Sequence, residues 1–366
     1  MIAQGTDAKN VTPEQIAQVA QDVELFCKAN HVTRAAVAKA IGFSAGVLSE
    51  FVKGAYAGNA GQVAIDLDDW LVEEEARRSS AQKTTFVWTN VAQQIRAVAQ
   101  YCLDKKKVGL IYGPETSGIG KTTSLQAIAQ DLGPRRAALI MIDKSDANPS
   151  ALLKKILGGI SSDQAGSNAQ RKDRIVELLR GRSHILLIDQ IHNLRYAKED
   201  RPLYYLMDIF EAAGTAQLWS GTSDMVSYLQ RQRAKNLDEP LAQIRRRIFP
   251  CVDLMEVCGD GNGGTPLYTI DQVREMFSKF QLKLTTAGAR WICALARVPG
   301  SGALGTAYNI VEYATMLGQM RHLPSLDVPL LKEALRCSLS VQRADALIEE
   351  TTSKLGTVDQ SFAAAG

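Results

Sequence analysis

The sequence predicts an α/β fold: an N-terminal all-α helix-turn-helix domain, then a phosphate-loop domain on a parallel sheet, closed by a C-terminal helical lid. Three observations predict it. An apolar run of strand length, Val108 to Tyr112, leads through a glycine-bearing turn into Gly120-Lys121-Thr122 and a helical stretch. A second apolar run, His184 to Ile188, ends in Asp189. Upstream, two short helical segments meet at Gly42-Phe43-Ser44.

The N-terminal domain is expected over residues 1–72. Thr12-Pro13-Glu14-Gln15 is a helix start, with a Thr cap, Pro in the first turn and Gln three residues after the cap. Ile16, Val19, Ala20, Val23 and Phe26 then recur at helical spacing. Thr33 starts a second helix that ends at Gly42, and Ser44 caps a third that ends at Gly54. Such a pair places its second helix in the major groove of DNA, where Ser49 and Lys53 would face outward. The charge there is modest: residues 1–80 hold 7 basic side chains against 11 acidic ones. Contact with DNA through this module is therefore expected to be weak and accessory. Residues 73–85 have almost no apolar content and read as a linker.

The nucleotide-binding core is expected over 86–258. Strand, glycine loop, Gly-Lys-Thr and helix together describe a cradle for polyphosphate. Backbone N–H groups crowd the phosphates, and the helix N-terminus adds its partial positive charge. Gly113, Gly118, Ile119, Gly120, Lys121, Thr122 and Thr123 form the expected cofactor-binding set. Lys121 reaches the β- and γ-phosphates, and the Thr122 hydroxyl ligates Mg²⁺. The loop is atypical, because Glu115 stands where the usual pattern has its first glycine, two residues beyond Gly113.

Asp189, at the end of its apolar strand, is the second expected Mg²⁺ anchor. The residue after it should be the glutamate that polarises the attacking water, but it is Gln190. An amide can hydrogen-bond a water but cannot take its proton at neutral pH, so slow hydrolysis is expected unless another carboxylate substitutes. His192 reads as structural. The strand Ala216 to Thr222 ends in small polar residues, with Thr222 the expected γ-phosphate sensor and Ser220 the alternative. The segment 228–247 then carries six basic residues against two acidic ones. It suits an arginine finger reaching a neighbouring subunit, with other arginines on DNA phosphates. The rest is a lid over 265–340, read as helical, and a tail over 341–366, whose small and polar residues 351–366 are read as frayed.

In order, these motifs resemble the phage Mu transposition protein B family, AAA+ ATPases that select target DNA for a transposase. The resemblance covers about Thr33 to Leu339. It rests on Gly42-Phe43-Ser44-Ala45-Gly46-Val47-Leu48-Ser49, Lys53-Gly54-Ala55-Tyr56-Ala57-Gly58-Asn59, Trp70-Leu71, Phe86-Val87, the phosphate loop, Leu187-Ile188-Asp189 and Gln243-Ile244-Arg245-Arg246-Arg247-Ile248. It implies an AAA+ core that binds ATP and Mg²⁺. Gln190 and Thr222 fall on catalytic positions, Arg247 best fits the finger, and Arg245 and Arg246 are further candidates. Gly305 stands where the family's lid arginine would be. The resemblance also implies a helical or ring homo-oligomer on double-stranded DNA that delivers it to a transposase. Lys144, Lys154 and Lys155 are the expected DNA contacts on the core.

Composition agrees with a folded protein: 46% of the 366 residues are hydrophobic and 22% charged, with a net charge of +3. The six cysteines are scattered, no apolar run approaches a membrane span, and no secretory signal is visible, so a cytoplasmic protein without membrane partners is expected. Two other classes share these motifs. One is a non-catalytic, nucleotide-switched helix-turn-helix regulator with a preferred operator; the other is a helicase-loader-type ATPase.

Overall fold

The computed structural model describes residue 8 and residues 11–30, 32–82, 86–114, 118–161, 164–197, 200–230, 240–258 and 266–363. Packing divides the chain into two compact units. One holds residues 1–85, 127–187 and 196–216; the other holds 86–126, 188–195 and 217–366. The expected core, 86–258, thus contributes to both. Parallel strands need long crossovers, so neighbours in a sheet are distant in sequence and compactness does not follow chain order.

The N-terminal helices are α1 (Pro13–Asn30), α2 (Arg34–Ala40), α3 (Ala45–Val52) and α4 (Ala60–Gln82). Their starts follow the expected chemistry. Thr12 and Gln15 exchange hydrogen bonds, while Thr33 accepts from the Ala36 amide and Ser44 from the Val47 amide. The chain turns by 116° between α2 and α3, within the range of a helix-turn-helix pair. Phe26, Leu48, Phe51, Leu67 and Leu71 form their shared core.

The linker expected at 73–85 is not seen over 73–82, which continue α4; residues 83–85 lie outside the described residues. The composition explains this. Glu, Ala, Arg and Gln are good helix formers. Low apolar content excludes a buried face, not a helix.

The same unit contains β2 (Ala137–Met141), α7 (Pro149–Ile160), α8 (Asn168–Leu179), most of β3 (Ile185–Asp189) and α9 (Arg201–Ala213). A buried charge cluster ties the N-terminal helices to it. Arg135 pairs with Asp22 of α1 at 3.3 Å and with Asp68 of α4, and Arg182 approaches Asp22 at 3.5 Å. Asp22, Asp68 and Arg135 are all buried. Burial pushes the Asp22 carboxyl up, against the pull of Arg182 and Arg135.

The second unit opens with α5 (Asn90–Lys105) and β1 (Val108–Gly113). After α6 (Lys121–Leu132), which crosses the division, it continues with β4 (Ala216–Thr222), α10 (Ser223–Gln230), α11 (Pro240–Arg247), β5 (Ile248–Asp253) and α12 (Leu254–Val257). The sheet order is β2-β3-β4-β1-β5. β1 pairs in parallel with β4, Gly113 opposite Thr222, and with β5, Tyr112 opposite Asp253. Val108, Leu110 and Ile111 are all buried, which explains why β1 is a continuous apolar run.

The lid comprises α13 (Ile270–Met276), α14 (Thr286–Ala296), α15 (Ala303–Met320) and α16 (Val328–Ser338). It also has a two-stranded parallel ladder that the helical reading missed, β6 (Lys283–Leu284) with β7 (Ser325–Leu326). The expected tail is instead α17 (Val341–Ala363), packed on α14 and α16. Ala344, Ile348 and Thr351 are buried at helical spacing. Among the described residues no single helix is long and apolar enough to cross a membrane.

Candidate nucleotide-binding site

The phosphate loop lies within the second unit. Gly120 has φ +93°, a conformation open to glycine, and directly precedes α6. Its carbonyl accepts the Thr123 hydroxyl at 2.9 Å and the Ser124 hydroxyl at 2.7 Å, which fixes the first turn of the helix. Lys121 is buried, with Nζ 3.4 Å from where a Cβ on Gly113 would stand. Burial lowers its pKa to about 8, against the opposing pull of Asp189 and Asp253. Glu115, the atypical loop position, lies outside the described residues.

Thr122 and Asp189, the two residues expected to hold Mg²⁺, meet at the end of β3. Asp189 ends β3 and accepts the Thr122 hydroxyl at 2.6 Å, the Ser220 hydroxyl at 2.7 Å and the Gln190 amide N–H at 2.9 Å. A threonine hydroxyl beside a carboxylate is a hard oxygen donor set that suits Mg²⁺, which takes one or two protein oxygens and completes its shell from phosphate and water. Among the described residues, no group of three or more His, Cys, Asp or Glu side chains is placed to hold a metal ion.

The geometry separates the two sensor candidates. The Ser220 hydroxyl is committed to Asp189, whereas Thr222 Oγ1 is buried with no hydrogen-bond partner. Gln190 has φ +57°, and its side-chain oxygen accepts from Asn193 Nδ2 at 3.3 Å.

The lid reaches the loop through the backbone. The Leu304 N–H donates to the Gly118 carbonyl at 3.1 Å, and the buried Tyr268 hydroxyl donates to the Ile119 carbonyl at 3.1 Å. A Cβ on Gly118 would overlap the Gly302 carbonyl oxygen, so this approach requires glycine. Gly305 stands at the same contact, with no side chain to offer a charge.

Sequence reasoning missed three participants. Asp253 acts on Lys121 from the end of β5, but Pro250 disguises the strand that carries it. Tyr268 left no local signal. His192, read as structural, lies in the electrostatic field of Lys121 and Asp189.

The basic segment is described in part. Arg245, Arg246 and Arg247 are exposed in the last turn of α11, and Arg247 Nη1 donates to the Gln243 carbonyl at 3.1 Å. Arg231, Arg233 and Lys235 lie outside the described residues. In the first unit, Lys53 is exposed and Ser49 half-buried on the α3 face, Lys154 is exposed, and Lys144 lies 4.9 Å over the Tyr196 ring. Lys155 corrects the expectation of a free DNA contact. Its ammonium binds Asp143 at 2.7 Å, Asp146, and the Met141 carbonyl at 3.0 Å, so two carboxylates already match its charge.

A family model described as an AAA domain matches residues 103–229, from α5 through β4 into α10. That stretch, which carries β1 to β4 and the phosphate loop, is thus similar to an AAA domain. The resemblance drawn from the motifs is met as well. This chain is 25% identical over 173 residues to the Mu-like prophage FluMu DNA transposition protein B of Haemophilus influenzae, covering 46% of this chain and 58% of that protein. The match thus spans less than two thirds of the relative's length. Similar solved structures include Drosophila ORC bound to DNA (15% identity, 69% of this chain and 61% of that one, TM-score 0.43). The Thermotoga maritima RuvB Holliday junction branch migration motor is another (16% identity, 68% of each chain, TM-score 0.39).

Proposed function

We propose that this chain is an ATP-dependent DNA transposition protein. It binds ATP with Mg²⁺, assembles as a helical or ring homo-oligomer on double-stranded DNA with little sequence preference, and presents that DNA to a transposase. The observation that carries the nucleotide part is the Thr122–Asp189 pair beside buried Lys121 and the tight turn at Gly120. The similarity to a DNA transposition protein supports the remainder. All six cysteines are free, in keeping with a reducing cytoplasm.

The side chains divide the work as follows. Amides of Gly118 to Thr123, with Lys121, hold the phosphates. Thr122 and Asp189 hold Mg²⁺, which would neutralise charge on the transferred phosphoryl group. Thr222 donates its unpaired hydroxyl to the γ-phosphate. Arg247, or its neighbours Arg245 and Arg246, reaches the nucleotide of an adjacent subunit. Ser49, Lys53, Lys144 and Lys154 touch DNA phosphates. Gln190 leaves the attacking water without a strong base, so ATP is retained and the assembled state is long-lived.

The test is ATP-dependent assembly on random duplex DNA, followed by sedimentation or negative-stain microscopy, with phosphate release read in the same sample. ATP-requiring oligomers with little phosphate released are the expected result. Brisk release would overturn the role given to Gln190, and a monomer indifferent to random DNA would overturn the transposition reading.

A further inference from the structure

Within that nucleotide site, one polar side chain has no role in the division of work above. His192 follows β3 by three residues and is only partly exposed. Its Nδ1 is buried and has no hydrogen-bond partner. Of the two ring nitrogens, Nε2 is not buried in this way. A backbone approach holds the residue beside β4, since a Cβ on Gly221 would lie 3.9 Å from the His192 nitrogen.

The buried nitrogen decides the tautomer. A buried N–H without an acceptor is costlier than an unpaired lone pair, so the proton belongs on Nε2. A second proton would create that unpaired N–H and is disfavoured. Burial, followed by the charges of Arg195 and Lys121, acts in the same direction, against the weaker pull of Asp189. His192 is thus a neutral imidazole that presents an N–H donor and no acceptor.

We infer that His192 is a γ-phosphate-reading residue: its Nε2–H donates to the terminal phosphate of bound ATP and makes the site prefer ATP to ADP. This rests on the nucleotide-binding reading above. It also gives the site a consistent character. Lys121, Thr222, the Gln190 amide nitrogen and His192 are all donors, complementary to phosphate oxygens. His192 does not supply the base that Gln190 lacks, because its lone pair faces the protein interior.

The experiment compares equilibrium affinities of fluorescent ATP and ADP analogues, with Mg²⁺, for the full chain and for His192→Phe and His192→Gln. One hydrogen bond to a charged group predicts about a tenfold drop in the ATP-to-ADP affinity ratio for His192→Phe, with ADP affinity unchanged. His192→Gln, whose amide restores a donor, should recover most of the ratio. An unchanged ratio in His192→Phe would overturn the inference, as would equal loss of both affinities, which marks a structural role. An unchanged ratio with phosphate release cut tenfold would identify His192 as the base instead. If the unaltered chain binds neither nucleotide, the nucleotide-binding reading itself fails, and that result is distinct from the others.

Discussion

Asp189 shows how one side chain can carry two duties. It accepts three hydrogen bonds from Thr122, Ser220 and the Gln190 amide, which hold its carboxylate in place for a cation. The next residue, Gln190, is the one proposed to limit turnover. Gln190→Glu puts a carboxylate where Asn193 already donates, so the exchange fits the local bonding. It should raise steady-state phosphate release by at least tenfold, since a positioned general base is worth about a hundredfold or more; no increase would remove Gln190 as the cause of slow hydrolysis. His184 supports a separate prediction about stability. It is fully buried, and burial, then Arg182, lowers its pKa from 6.5 to about 3 against a hydrogen bond to Pro134. Below pH 6.5 the unfolded chain therefore takes a proton that the folded chain refuses. His184 should weaken the fold as pH falls from about 6.5 towards 3, by at most about 1.4 kcal/mol per pH unit. Urea unfolding at pH 7.5 and 5.5 should show His184→Gln losing less stability on acidification than the unaltered chain.

Among the elements, α4 and α17 make the same point about sequence reading. Neither shows a wide apolar stripe along its whole length, yet both are helices of 23 residues. Good intrinsic propensity extends a helix beyond the turns that packing secures, and packing needs only one sparse row, as with Ala344, Ile348 and Thr351. α1 and α4 are held by charge as well as by their apolar core. Arg135→Ala would remove the guanidinium shared by the buried Asp22 and Asp68, with Arg182 still beside Asp22, and breaking such a buried pair costs about 3–5 kcal/mol. Denaturant unfolding should show that loss, and it should exceed the loss in an Arg321→Ala control, because Arg321–Glu333 is an exposed pair worth little.

For the whole molecule, the prediction concerns assembly. Arg247 is exposed on the last turn of α11, and its guanidinium donates to the Gln243 carbonyl of its own helix. As a finger acting on a neighbour's nucleotide, it should matter only when subunits meet. Arg247→Ala should leave ATP affinity at low protein concentration within about twofold, yet abolish ATP-dependent assembly on duplex DNA by sedimentation. Equal loss of both would place Arg247 in its own subunit's site. Assembly through phosphate contacts should also weaken steeply with added salt.

Much of the fold and part of the candidate site were legible in the chain alone. β1, β3 and β4 announce themselves because buried parallel strands are continuous apolar runs. Gly120-Lys121-Thr122 and Asp189 stand out because those residue types, at those strand ends, suit phosphate and Mg²⁺. The helix caps at Thr12, Thr33 and Ser44 were equally local, since a cap bonds an amide two or three residues away. What required the tertiary structure was every role set by residues distant in sequence. Ser220 is bound to Asp189 while Thr222 is left unpaired; Lys155 is neutralised by Asp143 and Asp146; Tyr268 holds the Ile119 carbonyl. Hydrogen bonding and desolvation depend on what surrounds an atom in space, and His192 acquires its donor character from the burial of a single nitrogen that no spacing in the chain records.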